Sequence, residues 1–133
     1  IHLLEKNVDK IDWVFLSVNP NALPLLKQNK SKIDWAFLSS NPNAIPLLEK
    51  KHHKIRWSSL SSNPNAIHLL EKNLDKINWR NLSSNPNAIH ILKQNKSKIH
   101  RNTFSQNPNI LTYDKNDLQQ QFKKLTILSK LFV

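Results

Sequence analysis

The stretch NPNAIPLLEKKHHKIRWSSLSS, residues 41–62, decides the fold, because it is one turn of a pattern that runs through most of the chain. It opens on Asn41, a residue that caps helix N-termini well, followed by Pro42, whose missing N–H costs nothing in a first helical turn. Ala44, Ile45 and Leu48 then recur at three- and four-residue spacings, which predicts a short helix through NAIPLLEK with one apolar side. Such a helix is only about 12–14 Å long and cannot stand alone in water. A polar turn follows, and Ile33, Trp35 and Leu38 in the preceding copy mark a second short element, IDWAFLSS, expected to be partly 3₁₀. Asp12, Asp34 and Asn78 stand where this element would be capped, with Arg56 and His100 in the same place elsewhere.

The pattern keeps a strict period. NPN begins at Asn19, Asn41, Asn63, Asn85 and Asn107, each 22 residues from the last. Trp13, Trp35, Trp57 and Trp79 keep the same step, as do Ile11, Ile33, Ile55, Ile77 and Ile99, and Leu16, Leu38, Leu60 and Leu82 followed by Phe104. Residues 1–35 are largely repeated as 67–101, with KQNKSKI unchanged at 27–33 and 93–99, the mark of a duplicated three-coil block. Tandem units of this length stack and share one core. The prediction is an all-α fold: a short αα-solenoid of 22-residue coils with two short helices per coil. A strand-containing coil is disfavoured because no cycle alternates β-branched residues. Since the chain has no glycine, Asn and Pro are expected to make the turns, because Asn tolerates left-handed backbone and its side chain bonds the local main chain. After Pro108 the pattern decays, so the repeats are placed at 1–111 and a divergent C-terminal cap at 112–133. Leu118, Phe122, Leu125 and Leu128 predict a capping helix there. A membrane-seeking amphipathic helix with Lys123, Lys124 and Lys130 on its polar face is the alternative.

The motif, NPNAIxLLexNxdKIdWxxLSx over residues 1 to about 111, resembles a family of 22-residue repeats found in giant double-stranded DNA viruses of the mimivirus and phycodnavirus kind. The resemblance implies an origin and a fold rather than an activity. An infected-cell or virion location follows from it as an expectation.

Composition sets further bounds. With 133 residues the chain makes one domain, and with no cysteine it is stabilised by packing rather than by disulfides. It has neither an apolar run long enough to span a bilayer nor a signal peptide at its start, so a soluble protein without a membrane span is expected. Residue 1 falls inside a repeat and no Met is present, so further coils are expected before it. A net charge of +11 and a pI near 10.1 point toward polyanions, but the abundance of Lys, Asn and Ile is also what an AT-rich genome writes.

No residue set reads as catalytic, cofactor-binding or metal-ligating. His52 and His53 are adjacent, and His2, His68 and His90 are separated by whole coils, whereas zinc ligands converge at about 2 Å from one ion. Glu49, Glu71 and the other acids fall at periodic helix-surface or cap positions. Ser17, Ser39, Ser61, Ser83 and Ser105 recur in every cycle as turn and cap residues rather than nucleophiles. Asn29, Asn81 and Asn95 match the glycosylation pattern as by-products of composition. The four tryptophans are expected to form a structural core ladder. Lys10, Lys32, Lys54, Lys76 and Lys98 occupy one slot in all five cycles, and so form a row that could track a phosphate backbone or merely shield core residues. Two clusters of slots vary among the cycles: the loop positions Val8, Lys30, His52, Leu74 and Lys96 with their following residues, and the positions after the Trp, namely Val14, Phe15, Ala36, Phe37, Ser58, Ser59, Arg80 and Asn81. Being released from packing, they are the expected partner-binding face, apolar at one end and polar at the other. The reading is a non-enzymatic scaffold for protein contacts, with nucleic-acid or other polyanion binding through the Lys row as the alternative.

Overall fold

The computed structural model describes residues 6–110 together with Lys123, Thr126, Lys130 and Leu131. The cap expected over 112–133 lies outside the described residues apart from those last four, which are helical and exposed. Within the described residues the chain is an all-α solenoid without strands. Its helices in chain order are α1 (Trp13–Val18), α2 (Leu23–Gln28), α3 (Trp35–Leu38), α4 (Ile45–Lys50), α5 (Trp57–Ser61), α6 (Ile67–Glu71), α7 (Trp79–Ser83), α8 (Ile89–Gln94) and α9 (Arg101–Phe104). Odd helices stack on odd helices of the next coil, α1 against α3, α5 against α7 and α7 against α9.

Local chemistry places the elements slightly differently from the sequence prediction. NPN is a turn rather than the start of the regular helix: Asn41 Oδ1 accepts from the Asn43 amide at 3.0 Å, the Ala44 amide donates to Asn41 O at 3.1 Å, and α4 begins at Ile45. In the first cycle the same segment is a 3₁₀ turn, Pro20–Ala22, running directly into α2. The Trp-bearing element is α-helical, and the 3₁₀ geometry sits in the polar linker, as in Lys30–Lys32 and His52–Lys54. Side-chain caps explain this. Asp12 accepts from the Val14 and Phe15 amides, Asp34 from Phe37 and Asn78 from Asn81, which satisfies first-turn donors of an α-helix. Arg56 supplies no such cap, yet α5 forms, so coil-on-coil packing suffices. No described residue has positive φ. Of the two reasons for asparagine, left-handed backbone is not used, since the turns close with ordinary backbone, while the side-chain bond to the local main chain is, as in Asn41 Oδ1 accepting the Asn43 amide.

One apolar cluster runs the length of the described coils. Leu38, Leu48, Leu60, Leu70, Leu82 and Leu92 are fully buried, and so are Ala44, Ala66 and Ala88. Burying each Leu contributes about 1.5–3 kcal/mol, but a single coil has too few of them to fold alone. Trp13, Trp35, Trp57 and Trp79 are partly buried and pack against the flank of this cluster. Its fully buried centre is aliphatic.

Three rails of hydrogen bonds join the coils. Ser39 Oγ donates to Trp35 O at 2.8 Å and accepts from the Arg56 amide of the next coil at 3.0 Å, a geometry shared by Ser17, Ser61 and Ser83. Asn63 Nδ2 donates to Ser39 O and Asn41 O, both at 3.0 Å, and Asn41, Asn85 and Asn107 do the same one coil away. Asn65 Nδ2 donates to Pro42 O at 2.9 Å, as Asn43, Asn87 and Asn109 do to Pro20, Pro64 and Pro86. The serines at 17, 39, 61 and 83 are thus fully buried inter-coil connectors, rather than turn and cap residues only.

Candidate functional site

The expected partner face is carried by the odd helices. Asp12 and Asp34 fix the first turns of α1 and α3, and the residues just after each Trp project from those turns. Val14, Phe15 and Phe37 are exposed, by 37%, 70% and 44%. Ala36, Ser58, Ser59 and Asn81 are partly buried, and Arg80 is exposed. Not all of these slots are released from packing. Asn81 Nδ2 donates to Ser58 O at 2.8 Å, and Thr103, one step further on, donates through Oγ1 to Arg80 O at 2.8 Å. In this slot the Asn81 and Thr103 side chains each reach a carbonyl of the preceding coil and tie the helices together. An aromatic one has no group to offer that carbonyl. The structure therefore separates the polar end, where the slot serves the fold, from the apolar end at Val14, Phe15 and Phe37.

The Lys row is also in place. Lys10, Lys32, Lys54, Lys76 and Lys98 are all exposed and close successive 3₁₀ turns. Lys76 Nζ lies 5.0 Å from the ring centroid of Trp57 in the preceding coil, an attraction between a cation and the negative face of the indole. The His52 ring meets the same Trp edge-on at 5.2 Å. At least one member of the row thus helps to hold two coils together.

The histidines on the even helices are paired across coils. His68 Nε2 is 2.7 Å from Glu49 Oε1, and His90 meets Glu71 in the same way. Both pairs are about half exposed, where such contacts contribute at most about 1 kcal/mol.

The variable loop positions Lys30 and Ser31 and the neighbouring His53 line a groove with Lys54; sequence reasoning missed that Lys50 and Lys51, which lie outside the row, join them there. The signal available in the sequence is not the number of lysines per cycle but their slots, Lys30 in one cycle facing Lys50, Lys51 and Lys54 in the next. No described helix is long and apolar enough to cross a membrane. No family model matches the chain, and no curated protein or solved structure matches it at a significant level.

Proposed function

We propose that this chain is a non-enzymatic solenoid scaffold that presents an apolar surface to a protein partner. The observation that supports this reading best is the exposure of Phe15 and Phe37 on adjacent stacked helices, with Val14 beside them. Two exposed aromatics in register are costly in water and are typical anchors of interfaces. The equivalent slots toward the other end are polar, so the face has a direction, and the partner surface that fits it carries an apolar pocket wide enough for two phenyl rings. With a giant-virus origin, the reading that the resemblance of the repeat motif supports, that partner is to be sought in the infected cell or the particle.

The experiment is site-specific photo-crosslinking in infected cells, with the reactive residue placed at position 15 or 37 and, separately, at 80. Crosslinks to one defined protein from 15 and 37 but not from 80 are expected. Phe15→Ser/Phe37→Ser should abolish capture of that protein with the melting temperature nearly unchanged. A large loss of stability in that double variant would show that the rings belong to the core.

A second reading rests on the exposed Lys row: polyanion binding along the solenoid. It expects steeply salt-dependent heparin or DNA binding that falls when Lys32, Lys54 and Lys76 are changed together to Gln. Equal loss on changing Lys6, Lys51 and Lys72 would mean diffuse charge instead.

A further inference from the structure

The groove beside α4 differs in charge from its counterparts. It lies between the Lys30–Lys32 and His52–Lys54 turns, has a volume of about 610 Å³, and gathers Lys30, Lys50, Lys51, Lys54 and His53 around Trp35, with no carboxylate in its lining. One 22-residue step earlier the four lysine slots hold Val8, Gln28, Asn29 and Lys32, and Asp9 stands in the Ser31 slot. One step later they hold His52, Lys72, Asn73 and Lys76, with Asp75 in the His53 slot. Two steps later they hold Leu74, Gln94, Asn95 and Lys98, with Asp75 in the Ser31 slot. Drift toward AT-rich codons raises lysine everywhere; it does not fill one set of slots and leave aspartate beside the others.

Four ammonium groups around one groove repel each other, and a bound anion relieves that repulsion. The hydrophobic wall adds a second requirement. Trp57 is engaged by Lys76 and His52, whereas among the described residues Trp35 has no ring or cation contact of that kind, and it lines the groove with Ile33 and Leu47.

We propose that this groove binds a compact ligand carrying several phosphate groups on a flat ring, the chemistry of a nucleoside polyphosphate. Lysines hold phosphate oxygens as point charges, and an indole face stacks a planar ring. The volume lies within the roughly 300–1,000 Å³ typical of small-molecule sites. Asp9 and Asp75 interrupt the positive charge on either side, which favours a short ligand over a long strand. The site is separate from the Phe15 and Phe37 face and goes beyond the scaffold reading.

The test is titration calorimetry on the whole chain with adenosine triphosphate, inorganic tripolyphosphate, a single-stranded oligonucleotide and a glutamate-rich peptide, without added metal. The triphosphate should bind at least about tenfold more tightly than tripolyphosphate, since losing the stacked ring removes roughly 1–3 kcal/mol. Lys50→Gln/Lys51→Gln should weaken it by a further tenfold or so with melting unchanged, because both side chains are exposed. Lys6→Gln/Lys72→Gln, at exposed sites outside both the groove and the row, should leave binding as it was. Equal binding of tripolyphosphate, tighter binding of the oligonucleotide or the peptide, equal loss in the Lys6/Lys72 variant, or no binding at all would each overturn the proposal.

Discussion

The side chain of Asn63 is bonded to the main-chain carbonyl of Asn41, one full coil back, at 3.0 Å. The same carboxamide donates its second N–H to Ser39 O and accepts the Asn65 amide through Oδ1, both at 3.0 Å. With 1% of its surface exposed, Asn63 has its polar atoms satisfied by protein alone.

Replacing this side chain should therefore be costly in proportion to what is left unbonded. Asn63→Ala leaves Ser39 O and the Asn65 amide without their partner, at about 1–3 kcal/mol each if water stays out, while Asn41 O keeps the Ala44 amide, so a loss of about 2–4 kcal/mol is expected in denaturant unfolding. Asn63→Asp keeps the acceptor but turns a carboxylate toward two carbonyls, and should be worse than alanine at neutral pH. Protonation restores one donor. The folded-state pKa of that new carboxyl is raised, so its deficit should shrink as pH falls below neutrality. An Asp variant equal in stability to the parent at pH 7 would contradict the bonding described.

Lys76 and Trp57 offer an independent check on how the coils are joined. Lys76→Gln should cost about 0.5–1 kcal/mol in the parent chain, the range for an exposed cation over an aromatic face. It should cost almost nothing once Trp57→Ala is present, which a double-mutant cycle measures directly. Because Trp57 is only partly buried, Trp57→Ala alone should cost about 3 kcal/mol, the lower end of the range for removing a large core aromatic. Leu60→Ala, at a fully buried site, belongs at about 3–5 kcal/mol.

The contrast between Asn63 and the caps explains what could be read from the sequence. The period, the helical class and the aliphatic core rows were legible, since apolar residues at helical spacing within a strict 22-residue cycle admit few other folds. The rails were not, because an Asn that caps its own turn and an Asn that bonds the previous coil occupy the same periodic slot. A clue lay in how the slots vary. The cap slot holds Asp12, Asp34, Arg56, Asn78 and His100, while the ladder slot holds Asn at 19, 41, 63, 85 and 107. A cap needs only an acceptor and tolerates substitutes; a slot that must donate twice and accept once at that size admits only Asn. The candidate partner slots were similarly half legible. Variation among cycles located them, but it could not distinguish Phe15, which is exposed, from Asn81, which bonds Ser58 O.

The central claim is that asparagine carboxamides bolt each coil to the one before it, and the exchange of their own protons tests this most directly. In a ¹⁵N-labelled sample, the Nδ2 protons of Asn41, Asn63 and Asn85 should exchange with solvent on the order of 100-fold more slowly than those of the exposed Asn21 and Asn102, since release requires a coil joint to open. Exchange of the Asn63 carboxamide as fast as that of Asn21 would show that the ladder does not exist in solution.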